Sequence, residues 1–299
     1  MGKDKNVTSK KKKTGSTKQR SMAYQVWRRL LKNRSAVMGL IFLAILVFLT
    51  VFANFFIDPA LVTEQNYDEV KQPPSAQHWF GTDIYGRDVF ARVIYGGRIS
   101  LTIGVVTVII AIVIGGLLGA IGAYYGGLLD EVIMRVCDVM AAVPEMLLSM
   151  CIVAAMGGNA VSLITALVIV TVPFRCRIVR SSVLSEANKE YVEAAKAAGM
   201  KDFRIIVTQL IPNSMGPAII VSMQGVANMM LTAAGLSYLG VGIRPPAPEW
   251  GNIIAGAREY LRLAPYMCVI PGVVLALTAL SFNLLGDGLR DALDPKLKD

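Results

Sequence analysis

The chain has 299 residues, of which 54% are hydrophobic and 17% charged, and its formal net charge at pH 7 is +9. Soluble domains of this size carry about 25% charged residues, so the composition points to a membrane protein and excludes a disordered, fibrous or disulfide-stapled chain. The positive charge is concentrated: residues 1–35 hold 12 Lys/Arg against the single acid Asp4, whereas the remainder holds 18 basic and 20 acidic residues.

The basic tail contains Lys10, Lys11, Lys12 and Lys13 in a row among Ser, Thr and Gly, a composition expected to be disordered. Its charge fits a positive-inside topology signal and a contact with anionic lipid. No folded basic module follows, so nucleic acid is not an expected partner. Trp27, Leu30 and Leu31 alternate with Arg28, Arg29 and Lys32, as in a short interfacial helix at the headgroups.

Apolar runs long enough to cross about 30 Å of hydrocarbon follow. They lie at Val37–Ile57, Ile99–Tyr125, Glu131–Met156, Val161–Val179, Pro217–Leu239 and Tyr266–Leu285. The first run is too long for a signal-peptide core and no small-residue cleavage site follows, so it reads as an uncleaved anchor. Six spans put both termini on one side. With the tail, the 126–135 turn, the 175–213 segment and the C-terminus on that side, it holds 23 Lys/Arg against seven on the other. This bias predicts cytoplasmic termini. The fold class expected is therefore an all-α, polytopic membrane helix bundle. Its divisions are a basic tail (1–35), an anchor span with an extracytoplasmic segment (36–98), a five-span core (99–289) and a short cytoplasmic tail (290–299).

Within the second span, Gly115 and Gly119 are four apart, as are Gly122 and Gly126, a spacing that lets helix backbones approach closely in lipid. Cys137, Cys151, Cys176 and Cys268 fall in or beside spans without a C-x-x-C pattern and read as small core residues. Enzyme chemistry finds no foothold. His78 is the only histidine, no Walker loop occurs, and Gly235-Leu-Ser237-Tyr-Leu-Gly240 has the wrong spacing for a nucleophile elbow.

The segment 175–213 is polar, mixed in charge and flanked by spans. Ser185–Ala198 predicts a helix stopped by Gly199, and Lys201–Leu210 a second helix ended by Pro212. Glu193-Ala194-Ala195, then Gly199, then Pro212 resembles the EAA loop of ABC-importer permeases. Gln209 and Ile211 stand where that pattern has Ile and Leu. In that family the loop docks on an ATP-hydrolysing subunit. The resemblance extends to His78–Asp83, Gly86–Val89, Tyr95–Ser100, Leu236–Gly242 and Phe282–Pro295, which are similar to segments of the dipeptide/oligopeptide/nickel importer permeases, second-subunit type.

This resemblance, covering about residues 22–297, implies a type I ABC importer fold and a non-catalytic permease that moves peptides. It implies as partners a second permease, two ATPase subunits and an extracytoplasmic binding protein. No cofactor is expected on this chain, with ATP and Mg on the ATPases. Uptake of nickel or a nickel chelate is the alternative within the family; a self-sufficient secondary transporter or channel is the alternative outside it.

Polar residues inside spans are the candidates for contact with substrate. Glu145 follows Pro144 and, in a straight span, would lie about 20 Å from the cytoplasmic end. It could attract a peptide ammonium or serve as a structural, paired carboxyl. Gln224, Asn228 and Thr232 recur at four-residue intervals on one face of the fifth span, placed to line a path or bond a neighbouring helix. Glu131, Arg135 and Asp138 read as a surface ion-pair ladder. Trp79 and Trp250 in the extracytoplasmic pieces suit either a docking surface for the binding protein or interfacial anchoring.

Overall fold

The computed structural model describes residues 22–293; most of the basic tail, including the Lys10–Lys13 run, and residues 294–299 lie outside them. Among the described residues the regular structure is helical, apart from one isolated bridge between Thr82 and Asp88.

The chain opens with α1 (Met22–Leu30) and α2 (Arg34–Val51). The Asn33 side chain caps α2 by accepting from the backbone N–H groups of Ser35 and Ala36 at 3.1 and 3.2 Å. Two short helices, α3 (Ala53–Phe56) and α4 (Ala60–Thr63), lead into a loop and then α5 (Val89–Tyr125). Next come α6 (Gly127–Ala141), α7 (Glu145–Met156) and α8 (Ala160–Ala187). The hairpin region holds α9 (Glu190–Ala197) and α10 (Asp202–Ile205), and a π-turn at Ile206–Leu210 joins α10 to α11 (Ile211–Tyr238). The chain closes with α12 (Trp250–Ala257) and α13 (Tyr266–Leu293).

Five helical stretches are long and apolar enough to cross a membrane, with α10 to α11 counted as one, and the pair α6 and α7 raises the total to six. That pair departs from expectation. Glu131–Met156 is not one straight helix but two, bent by 87°. Pro144 has no N–H for the helical ladder and disfavours helical backbone at Val143, so the break falls there. The second departure is the start of α5, ten residues before the expected Ile99. Asp88 caps it by accepting from Ala91 N at 2.8 Å. Arg92 and Arg98, expected in an extracytoplasmic segment, are helix residues that donate to backbone carbonyls of Val62, Thr50 and Val51. At 37 residues, α5 is about 55 Å long, well beyond the thickness of a bilayer core.

The centre of the bundle is the contact between α5 and α8. A Cβ on Gly115 would lie 2.8 Å from Val172 O, and one on Gly119 only 2.3 Å from Cys176 O. These two glycines therefore set the helices at backbone contact, the use expected of their spacing. Around this seam, α11 packs on α5, α8 and α13, and α2 packs on α13 through Gly39, whose added Cβ would meet Ser281 O at 2.8 Å. Leu30 of α1 is buried with Leu43 and Leu285, which anchors α1 to the end of α13.

Gly119→Ala is expected to lower the thermal midpoint of the detergent-purified protein, since overpacking costs about 1–3 kcal/mol. Gly116→Ala, whose Cβ would meet only Val179 Cγ2 at 3.7 Å, should leave the midpoint unchanged. Equal midpoints would contradict the seam.

Candidate functional site

Two regions hold the residues singled out by the sequence: the hairpin between α8 and α11, and a cavity further along the same two helices.

The hairpin is built differently from the expectation of two plain helices. α8 runs on to Ala187, and the chain breaks at Asn188 and Lys189 before α9. Glu186 holds this break closed. It accepts from Lys189 Nζ at 2.6 Å and from Tyr191 Oη at 3.0 Å. The break lets α9 turn back and bury Val192 against Val179, Val183, Ile205 and Leu210. Gly199 ends α9 with φ +73°, a left-handed turn that a side chain would strain. Gly199 N donates to Lys196 O and Met200 N to Ala195 O, which closes the helix end.

Pro212 does not end a helix. The chain passes through the π-turn into α11, where Pro212 stands in the first turn and needs no donor. Asn213 Nδ2 donates to Gln209 O at 2.8 Å across that turn. The Tyr124 hydroxyl donates to Asp202 Oδ1 at 2.7 Å and ties the hairpin to α5. Glu193, Ala194, Gly199 and Pro212 are exposed, Ala195 is half-buried, and Phe203 beside them is 70% exposed.

The cavity, of about 540 Å³, lies between α7, α8 and α11. Glu145, Gln224, Asn228 and Thr232 all line it. Glu145 reaches it as the first residue of α7, after the bend, so the depth inferred for a straight span does not hold. Gln224 both lines the cavity and donates through Nε2 to Asp287 Oδ1 on α13 at 2.9 Å. Sequence reasoning misses Arg175, which it counts in the 175–213 segment as one more basic residue. The structure places it inside α8, 2% exposed, at the cavity wall beside Thr171 and Phe174. Its signal in the sequence was an arginine just after the apolar Val161–Phe174 run, where charge is costly unless it has a function.

The expected ladder on α6 forms only in part. Arg135 lies 3.6 Å from Glu131, but Asp138 pairs with Arg177 of α8 at 2.8 Å. Arg180 adds a two-pronged bond to Asp130, at 2.6 and 2.5 Å, so ion pairs clamp α6 to α8.

At the opposite end of the bundle, His78 Nδ1 lies 2.9 Å from Asp88 Oδ2 and Nε2 3.5 Å from Glu69 Oε2. Trp250 is neither an anchor nor a docking residue. It is fully buried, and Nε1 donates to Val93 O at 2.8 Å. Glu249 caps α12 by accepting from Gly251 N and Asn252 N, both at 2.8 Å. Burial pushes its carboxyl above the usual carboxylate range, against those hydrogen bonds. Trp79 is 65% exposed.

Residues 111–299 match the family described as binding-protein-dependent transport system inner membrane component, and residues 21–74 match the N-terminal TM domain of oligopeptide transport permease C. The chain is 42% identical over 279 residues to a dipeptide transport system permease protein of Alkalihalophilus pseudofirmus, covering 92% of this chain and 90% of that one. It is 38% identical over 274 residues to a glutathione transport system permease protein of Pectobacterium atrosepticum, covering 92% and 91%. A solved structure of the MetNI methionine ABC transporter, described as inward facing, aligns with TM-score 0.55 at 17% identity, covering 69% of this chain and 98% of that one. That likeness shows a shared fold, the type I importer fold that the sequence implied. The chain belongs to the binding-protein-dependent transport system inner membrane components, as a multi-pass permease subunit of an ABC importer.

Proposed function

We propose that this chain is one of two different permeases in an importer that moves small peptides, with both termini and the α9–α10 hairpin in the cytoplasm. The similarity to dipeptide and glutathione permeases over nine-tenths of the chain supports peptides as cargo. The excess of Lys/Arg on the tail side supports the orientation. Residues 36–88 then form an anchor and extracytoplasmic segment, the chain from Val89 at the start of α5 to 289 the transporting core, and the basic tail touches anionic lipid. Partner subunits bind ATP and Mg and hydrolyse the nucleotide; this chain holds no cofactor. A binding protein delivers the peptide to the extracytoplasmic end, where Trp79 is exposed.

The observation that carries this reading is the hairpin surface. Glu193, Ala194 and Gly199 stand free of the bundle while Val192 and Ile205 root the same hairpin in its core. Small side chains let a partner approach closely, and Glu193 offers it a charge. The ATPase that docks there moves α8 and α11, which carry Gln224, Asn228 and Thr232 on the wall of the cavity. The second permease covers the side where Glu145 and Asn228 are exposed and closes the path.

Replacing Ala194 by Trp in the reconstituted importer is expected to lower labelled-dipeptide uptake by about tenfold or more, the loss of a well-packed contact. ATP hydrolysis by the free ATPase subunits should be unaffected. Uptake at the wild-type rate would refute docking at this surface. Uptake of nickel in place of dipeptide or glutathione would refute the cargo.

A further inference from the structure

Arg175 is a charge without a hydrogen-bonded partner: the Phe174 ring lies 5.7 Å from its guanidinium, and Glu145 acts on it only through space. Its Nε and Nη1 are buried and have no hydrogen-bond acceptor among the described residues, and no carboxylate lies within 4 Å of it. Its seat is nonetheless specific. A Cβ on Gly115 would come within 2.9 Å of Arg175 Cβ, and one on Gly225 within 1.9 Å of Nη2. The side chain thus spans from the α5–α8 seam to bare backbone on α11, at the wall of the cavity lined by Gln224 and Asn228.

A desolvated guanidinium with open donors is costly to keep and is offset when an anion arrives. Its planar fork of N–H groups matches a carboxylate, which it can hold with two parallel bonds once the side chain swings from Gly225 into the cavity, because Nε and Nη1 are enclosed in this state. A transport cavity must also release what it binds, and contacts that exchange readily suit transit. A peptide in transit carries a terminal carboxylate.

We propose that Arg175 is the carboxylate seat of the translocation cavity and takes the C-terminal carboxylate of the passing peptide. This rests on the peptide reading above. Gly225 is a positioning residue, because only the absence of a side chain leaves room for the guanidinium. Glu145 is the acidic group on the same cavity and the one whose charge acts on Arg175, so a peptide carboxylate seated there would take over that attraction.

The test is uptake by the complete importer, with its ATPases and binding protein, in proteoliposomes. The substrates are a dipeptide with a free C-terminus and its C-terminal amide, each saturating the binding protein. Arg175→Gln should lower free-acid uptake about tenfold while sparing the amide, so the acid-to-amide ratio falls. Arg175→Lys should restore part of the ratio. Gly225→Ala keeps the charge but displaces it, and should lower the ratio in the same direction; it also supplies the readout where Arg175→Gln does not assemble. The binding protein is common to all variants, so its own preference cancels. A ratio unchanged in the variants, or acid and amide falling together, would overturn the seat and leave peptide import standing. A wild-type importer that moves neither substrate would overturn both.

Discussion

Two glycines, Gly115 and Gly119, bring the backbones of α5 and α8 into contact, and the placement of the other parts follows from that. Inside a membrane, apolar surface alone does not drive helices together; close packing of small residues does. The seam fixes both the separation and the rotation of α8. At the level of Gly115 it sets Arg175 toward Gly225 and the cavity. At the level of Gly119, where an added Cβ would meet Arg180 N at 2.9 Å, it directs Arg180 to Asp130 on α6. Val179 and Val183 then face the hairpin core.

The same geometry gives the proposed coupling a mechanical form. α8 enters the hairpin and α11 leaves it, and these two helices also form most of the cavity wall. From Arg175 to Ala187 is about 18 Å of uninterrupted helix. A displacement of the hairpin is therefore a displacement of the wall. The π-turn at Ile206–Leu210 stands where α11 meets the hairpin, and such turns mark places where a helix departs from its regular ladder. The bent α6–α7 pair supplies the third wall with a helix start rather than a helix middle, which brings Glu145 to the cavity.

Much of this was legible in the sequence, for identifiable reasons. Long apolar runs, glycines at four-residue spacing and the Glu193–Gly199–Pro212 pattern are local signals, and they located the spans, the seam and the hairpin. Gln224, Asn228 and Thr232 share a cavity because a four-residue period is a helix face. The losses came where tertiary partners override local reading. Arg92 and Arg98 looked like loop charges, but their donors are taken up by carbonyls at the ends of other segments. Trp250 looked like a surface aromatic, but a buried indole needs only the one acceptor that Val93 provides. Arg175 looked like the start of a cytoplasmic stretch, and nothing near it in the chain announces Gly225. Pro144 disrupts any helical ladder, yet an 87° turn depends on what packs on either side of it.

In the proposed mechanism the cavity between α7, α8 and α11 is the path and the hairpin operates it. A cysteine in place of Asn228, in an importer whose native cysteines are replaced, reports this directly through a membrane-impermeant thiol reagent. Without nucleotide, that cysteine should react from the cytoplasmic side only. With ATP trapped on the partner subunits, it should react from the opposite side only. Labelling that ignores nucleotide, or that never occurs from either side, would contradict the account.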